Sequence, residues 1–181
     1  QIQGPKALDL LADAADDGLP EDFRYFDARE VAIGGQTVLV TRTGWTGEVG
    51  FEIYTRPELD TDALWEHVSS VGEAHGLVDI GLDPMDTRRI EAAILNNLSD
   101  MDSSMTPFAA GLGDFVDLDR DDDFFGKAAL QKADRRTRVY GISCTTAEPL
   151  IGAPVFRHGA EIGVVTAAAW SPYLGYGIGY V

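Results

Sequence analysis

The glycine-rich segment 42–54, RTGWTGEVGFEIY, combines residue types that could bind a small molecule. Its three glycines permit positive φ angles and a close approach of a ligand to the backbone. The segment ends in a strand-like run in which Glu52 lies between Phe51 and Ile53. Because side chains alternate along a strand, the two apolar residues point to one face of a sheet and the carboxylate points to the other. Glu52 is therefore the first candidate for ligand binding.

Two interpretations of Glu52 follow from this pattern. If both faces of its strand are covered, the carboxylate is buried, and an unpaired buried charge is costly. It would then pair with an arginine, or with a ligand that carries two adjacent N–H donors, which a carboxylate can bind in bidentate fashion. If the second face is open to water, Glu52 is an ordinary half-exposed residue. The spacing leaves both interpretations open.

Arg89 is the second candidate, on a helix that we predict to begin at Asp83 and Pro84. The small side chains of Ala92 and Ala93 leave room for a long cation to reach into a cleft, and the alternative is an ordinary surface arginine. The three histidines are isolated, and the sequence has no metal-ligand spacing, nucleophile elbow or phosphate-binding glycine loop. We therefore expect no metal site.

A mixed set of helices and strands must position these residues. Helical periodicity predicts helices over 5–15, 61–73, 83–95 and 126–133, the second with an apolar face of Leu64, Trp65, Val68 and Val71. Alternation and glycine turns predict strands within 23–33, over 36–41, 50–54 and 112–116, and between 76 and 82. After residue 136 the helical period disappears, and short strands are predicted over 139–144, 154–157, 162–168 and 177–181.

This change of pattern predicts a domain boundary at residues 133–138. We expect an α+β domain over 1–133 and an all-β domain over 138–181. Residues at both ends have the pattern of interrupted strands, and open edge strands are a liability for a folded protein. We therefore expect the chain to be part of a longer protein, incomplete at both ends.

The charge of the chain excludes several kinds of partner. The formal net charge is −16, from 30 acidic and 14 basic residues, which opposes binding to nucleic acids and to anionic membranes. The excess of aspartate over lysine suggests a source that lives in concentrated salt. No apolar run approaches the ~20 residues that span a bilayer. The single cysteine, Cys144, is interpreted as a small buried residue in a protein of the reducing cytosol.

Several segments together resemble one known family. RTGWTGE at 42–48 followed by GFEI at 50–53 resembles the R-x-G-Y-T-G-E-x-G-F-E-I signature of the aminomethyltransferase family, which comprises the glycine cleavage T-protein and related tetrahydrofolate-dependent demethylases. Further segments resemble the family in the same order: QGPKA at 3–7, DTRRIEA at 86–92, TPFAAGLG at 106–113, FFGKAAL at 124–130, SPYLG at 171–175 and GYV at 179–181. Their collinearity covers nearly the whole chain.

The resemblance implies a fold, a cofactor and a set of roles. The fold would be α+β, with a folate-binding region containing ferredoxin-like elements followed by a small β-barrel domain. The cofactor would be tetrahydrofolate, with Glu52 on the pterin ring and Arg89 in the same cavity as a polar contact or an orienting partner. Trp45 stands where the family has tyrosine, and keeps a flat apolar ring without the phenol hydroxyl. The family's catalytic aspartate would lie upstream of Gln1, so this chain alone is expected to be inactive.

The resemblance leaves the donor and the exact activity open. The chain would transfer an aminomethyl or methyl group from a small one-carbon donor or from an aminomethyl-lipoyl carrier protein. The alternatives are the folate-binding region of a dimethylglycine or sarcosine dehydrogenase-type protein, a non-catalytic folate-binding protein, and a module that has lost folate. The iron–sulfur-assembly branch of the family has a cysteine in the glycine-rich motif, and residues 44–48 have none.

Overall fold

The computed structural model describes all 181 residues, Gln1–Val181. The chain divides into two compact units, Gln1–Arg88 and Arg89–Val181. These units are not the domains that we predict from the sequence, 1–133 and 138–181. The predicted domain boundary at 133–138 stays a prediction. No helix is long and apolar enough to cross a membrane.

The first unit is built on a four-stranded antiparallel sheet with the strand order β1-β4-β3-β2. Its elements are β1 (Ile2–Gln3), α1 (Ala7–Ala14), β2 (Ala28–Ile33), β3 (Gln36–Thr41), β4 (Gly50–Tyr54), α2 (Thr61–His75) and α3 (Leu82–Glu91). The unit boundary falls within α3.

The predicted hairpin and the strand that carries Glu52 are confirmed. Gly34 and Gly35 both have positive φ angles, 57° and 76°, as a two-residue hairpin turn requires. Apolar residues of the three long strands share one face and pack against α1 and α2 to form the core; they include Val31, Ile33, Val38, Val40 and Phe51. The opposite face carries the exposed pair Leu39 and Tyr54.

Helix α2 is confirmed, with one error in its predicted apolar face. Asp60 caps its N-terminus by accepting a 3.0 Å hydrogen bond from the backbone N–H of Ala63, and Gly76 ends it with a φ of 74°. Leu64 is buried in the core, whereas Trp65 is 63% exposed. The prediction for Trp65 is wrong because its side chain lies outside the stripe of Leu64, Val68 and Val71 that packs into the core.

The region around α3 differs from the prediction at both ends. The segment between Leu77 and Gly81 forms no strand, and the helix begins at Leu82, so Asp83 lies in its first turn rather than at the cap. The helix stops at Glu91 instead of continuing to residue 95. Ala93 adopts a φ of 59°, and the N–H of Ile94 donates to the carbonyl of Arg89 at 2.8 Å. This Schellman-type arrangement ends the helix at a residue other than glycine.

The second unit contains two open sheets. Its elements are a 3-10 turn at Gly113–Phe115, α4 (Lys127–Lys132), β5 (Gly141–Cys144), β6 (Pro154–Arg157), β7 (Ala160–Val164), β8 (Ala167–Ser171) and β9 (Tyr176–Tyr180). Strands β5, β9 and β8 form one antiparallel sheet in that order, and β6 pairs with β7 in another. The mixed α/β composition is confirmed; the two sheets are open, and the assignment of this region to a β-barrel domain stays a prediction.

Two strand predictions in this unit are wrong. The segment 112–116 contains a 3-10 turn at Gly113–Phe115 in place of a strand, and Phe115 is 82% exposed. The predicted strand 162–168 is divided between β7 and β8, because the chain leaves one sheet for the other at Val165 and Thr166. The N–H of Val165 donates to the carbonyl of Ala153, and that of Thr166 donates to the carbonyl of Tyr180.

Candidate functional site

The glycine-rich loop, residues 42–50, is attached to strand β1 through Gln3. The Thr46 hydroxyl donates to Oε1 of Gln3 at 2.9 Å, and Nε2 of Gln3 donates to the carbonyl of Thr43 at 3.4 Å. The backbone N–H of Gly4 donates to the carbonyl of Val49 at 2.8 Å. Thr46 is buried. The loop is therefore anchored to the N-terminal strand by side-chain and backbone bonds.

Two glycines of this loop make room for the Gln3 side chain. A Cβ atom on Gly44 would lie 2.1 Å from Oε1 of Gln3, and one on Gly50 would lie 2.3 Å from its Nε2. Gly47 alone among the loop glycines has a positive φ angle, 75°. The sequence pattern predicted that these glycines let a ligand approach the backbone closely. In the structure, the group that approaches Gly44 and Gly50 is the side chain of Gln3.

Glu52 lies on β4 directly opposite Thr41 of β3. Phe51 is fully buried and Ile53 packs against the core, whereas Tyr54 is exposed, so the predicted alternation of this strand is confirmed. The Glu52 side chain is half-buried. It therefore lies on the face of the sheet opposite to α1 and α2.

The carboxylate of Glu52 is held by a hydroxyl and not by a cation. Oε2 accepts a short hydrogen bond from the hydroxyl of Thr43, and the Thr41 hydroxyl oxygen lies 2.6 Å from that of Thr43. Oε1 accepts no hydrogen bond from the chain. A half-buried carboxylate in this state can still accept two hydrogen bonds from a ligand with adjacent N–H groups.

Trp45 and Glu48 extend the same loop. The Trp45 side chain is half-buried. Glu48 forms an ion pair with Arg88 of α3, and both side chains remain more than a third exposed. The two glutamates of the motif are thus used in different ways, since Glu48 in the loop pairs with α3 and Glu52 on β4 keeps free acceptor capacity.

Arg89 lies in the second unit and is only 2% exposed, so the alternative of a surface arginine is wrong. Its guanidinium Nη1 donates to Oδ2 of Asp100 in a buried ion pair and to the carbonyl of Ile94 at 3.3 Å. The guanidinium carbon lies 5.6 Å from the centre of the Tyr180 ring, a cation–π distance. The predicted contact of Arg89 with a folate stays a prediction.

Asp100 is a residue that sequence reasoning missed. Besides Arg89, it accepts hydrogen bonds from the backbone N–H of Asn96 at 2.8 Å and from the hydroxyl of Thr166 at 3.1 Å. A single acid in an irregular polar loop has no periodicity that would link it to an arginine 11 positions earlier. Three donors on one buried carboxylate satisfy the charge of Asp100 and hold the Arg89 guanidinium in one place.

No group of three or more histidine, cysteine, aspartate or glutamate side chains is arranged to hold a metal ion. The chemistry available at the glycine-rich loop and the adjoining strand β4 is recognition by hydrogen bonds: the Glu52 carboxylate has a free oxygen, Trp45 is close to it in sequence, and Gln3 holds the loop in shape.

Comparison with known proteins gives one consistent result. Residues 1–120 match the family model described as the GCVT N-terminal domain. The chain is 41% identical over 182 residues to an aminomethyltransferase of Clostridium botulinum (strain Okra / Type B1), and 39% identical to one of Saccharopolyspora erythraea. Each alignment covers 98% of this chain and 49% of the relative.

A solved structure agrees with the sequence relatives. The crystal structure of glycine cleavage system aminomethyltransferase T from Bartonella henselae superimposes with a TM-score of 0.78 at 25% identity, over 98% of this chain and 49% of that protein. The chain therefore spans about half the length of the relatives that it matches.

Proposed function

Because this chain belongs to the aminomethyltransferase (GCVT) family, we propose that it forms the folate-binding part of a tetrahydrofolate-dependent one-carbon transferase. The family supports a folate-dependent one-carbon transferase in general. The transferred group is an aminomethyl or methyl group. The relatives described above are named aminomethyltransferases and not dehydrogenases, so we retain the transferase in preference to the alternatives.

The observation that carries this proposal is the state of the Glu52 carboxylate. A pterin ring presents an amino group beside a ring N–H, and one carboxylate matches both donors in bidentate fashion. Glu52 fits this requirement, because its one bond within the chain comes from the Thr43 hydroxyl and no cation neutralises it. Its half-buried position strengthens a charge-assisted hydrogen bond relative to one in open water.

Two further residues are proposed to contribute to folate binding. Trp45 would offer a flat apolar surface to the folate without the hydroxyl that a tyrosine would bring. Arg89 would act as a polar contact or an orienting partner, and Asp100 holds its guanidinium in place. When bound, tetrahydrofolate supplies the nitrogen that carries the one-carbon unit. The protein's own contribution is to hold that molecule in one orientation, which is a large part of the rate advantage in such reactions.

The partner and the cellular setting are also part of the proposal. The one-carbon donor would be a small molecule or an aminomethyl-lipoyl carrier protein. A single unpaired cysteine, Cys144, suits a protein that works in the reducing cytosol. The strongly negative charge suits neither a nucleic acid nor an anionic membrane as partner.

Calorimetric titration with tetrahydrofolate tests the proposal. We expect the wild-type chain to bind, and Glu52→Gln to weaken binding by about 10- to 100-fold, since a hydrogen bond to a charged group contributes roughly 1.5–3 kcal/mol. Glu30→Gln is the matched control, because Glu30 lies on the same face of the same sheet and is exposed. No binding by the wild type would contradict the proposed function. Equal binding by wild type and Glu52→Gln would remove Glu52 from the site.

A further inference from the structure

Thr41, Thr43 and Glu52 form a chain of hydrogen bonds whose direction can be deduced. A carboxylate can only accept, so the Thr43 hydroxyl must donate its single proton to Oε2 of Glu52. Thr43 then has no proton left for Thr41, whose hydroxyl oxygen lies 2.6 Å away. Thr41 must therefore donate to Thr43. Both hydroxyl dipoles point towards the carboxylate, and each bond strengthens the other.

The hydroxyl of Thr43 is itself held in position by the backbone around it. The neighbouring Arg42 is fixed by its own backbone and side chain, since its N–H donates to the carbonyl of Asp27 at 2.9 Å and its guanidinium donates to the carbonyl of Phe23 at 2.6 Å. On the same segment, the carbonyl of Thr43 receives the Gln3 amide. Thr43 therefore presents a fixed donor to a flexible glutamate side chain.

We propose that Thr43 is the positioning residue of the folate site: its hydroxyl, supported by Thr41, holds the Glu52 carboxylate with Oε1 free for the ligand. This inference rests on the proposed function. A glutamate side chain has three rotatable bonds, and a half-buried one without a partner would sample several orientations before it met a ligand. With Oε2 held by Thr43, the ligand meets a carboxylate already oriented, so less freedom is lost on binding.

The test compares Thr43→Val, which removes the hydroxyl and keeps the shape, with Thr43→Ser, which keeps the hydroxyl. Tetrahydrofolate affinity is measured by calorimetric titration and folding by the melting temperature. We expect Thr43→Val to weaken binding by about 5- to 20-fold, Thr43→Ser to bind within about twofold of wild type, and Thr41→Val to cause a smaller loss than Thr43→Val. Thr37→Val is the matched control, because Thr37 is an exposed threonine on the same strand and the same face as Thr41.

A double-mutant cycle with Glu52→Gln separates positioning from a general structural effect. If Thr43 acts through Glu52, Thr43→Val causes little further loss of affinity in the Glu52→Gln background. Full additivity of the two losses of affinity would overturn the inference. Equal losses of affinity in Thr43→Val and Thr43→Ser would also overturn it. So would a Thr43→Val variant with a lowered melting temperature and an unchanged affinity. If Thr43→Val does not fold, Thr41→Val and Thr43→Ser decide. Weaker tetrahydrofolate binding by Thr41→Val together with unchanged binding by Thr43→Ser supports the inference. Unchanged binding by Thr41→Val, or weaker binding by Thr43→Ser, overturns it.

The same measurements distinguish failure of this inference from failure of the proposed function. Suppose that the wild type binds tetrahydrofolate, that Glu52→Gln weakens this binding and that Thr43→Val does not. The proposed function then stands, and the positioning role of Thr43 is wrong. If the wild type does not bind, both fall.

Discussion

Oε1 of Gln3 lies only 2.1 Å from the point that a Cβ atom at position 44 would occupy. The amide of Gln3 fills the space that the missing side chains of Gly44 and Gly50 leave, and there it accepts a hydrogen bond from the buried Thr46. Two motifs that are about 40 residues apart in sequence are therefore parts of one packed structure. Neither Gly44 nor Gly50 has a positive φ angle, so the backbone conformation does not require glycine at these positions. The packing of the Gln3 side chain is what requires it.

We predict that Gly44→Ala lowers the free energy of unfolding by about 1–3 kcal/mol, because the displaced Gln3 amide leaves the buried Thr46 hydroxyl without its partner. In a Gln3→Ala background the same substitution is expected to cost much less, since the obstructing group is gone. Urea denaturation of the four chains of this cycle measures the difference. Gly81→Ala is the control, because nothing lies within 4 Å of a Cβ there. Equal costs of Gly44→Ala in both backgrounds would contradict the packing argument.

Removal of Asp100 is expected to destabilise the second unit strongly. Asp100→Ala leaves the Arg89 guanidinium buried without its carboxylate, and loss of one partner of a buried ion pair costs about 3–5 kcal/mol. Thermal or urea denaturation measures the loss. Asp134→Ala is a suitable comparison, because its pair with Arg136 lies at the surface, and we expect a much smaller change there. Similar losses in the two variants would show that burial does not set the contribution of the Arg89–Asp100 pair.

Cys144 is expected to be more reactive than an ordinary thiol. The structure places it half-exposed, which corrects its interpretation as a buried residue. Hydrogen bonds from the backbone and hydroxyl of Thr146, and from the backbone of Ala147, lower the pKa of the Cys144 thiol. Because the thiolate is the reactive form, its share at a given pH rises as the pKa falls. The midpoint of the pH dependence of alkylation should therefore lie below that of a free cysteine, about 8.5.

Alkylation with iodoacetamide, followed by mass spectrometry, checks this directly because the chain has a single cysteine. Thr146→Val should move the midpoint upwards, since it removes one of the donors that favour the thiolate. Cys144→Ser is the blank and should remain unlabelled. A midpoint at or above that of glutathione, measured in parallel, would refute the prediction.

The acidic surface predicts greater stability in concentrated salt. With a net charge of −16, carboxylates repel one another across the folded chain, and salt screens this repulsion. We expect the melting temperature to rise from low to multimolar KCl. Replacing the exposed Asp119 and Asp121 by asparagine should reduce that salt dependence, because it removes part of the repulsion. Greater stability in low salt would be inconsistent with a source that lives in concentrated salt.

Local patterns were sufficient to predict most of the first unit. The β2–β3 hairpin follows from alternating apolar residues on either side of Gly34 and Gly35, and β4 follows from the alternation around Glu52. Helix α2 follows from its apolar spacing. These features depend on residues close together in the chain, so the sequence carries them directly. Short segments such as 112–116 carry no such periodicity, and a 3-10 turn lies where the strand was predicted.

The sequence by itself therefore determined the strand that presents Glu52 and the resemblance to the aminomethyltransferase family, which the family match confirms. Only the tertiary structure decided which groups hold that carboxylate, which cation lies beside Asp100 and why Gly44 must lack a side chain. The physical reason is that hydrogen bonds and close packing act over a few ångströms between side chains from distant segments. Their directions are set by the fold of the backbone and not by spacing along the chain.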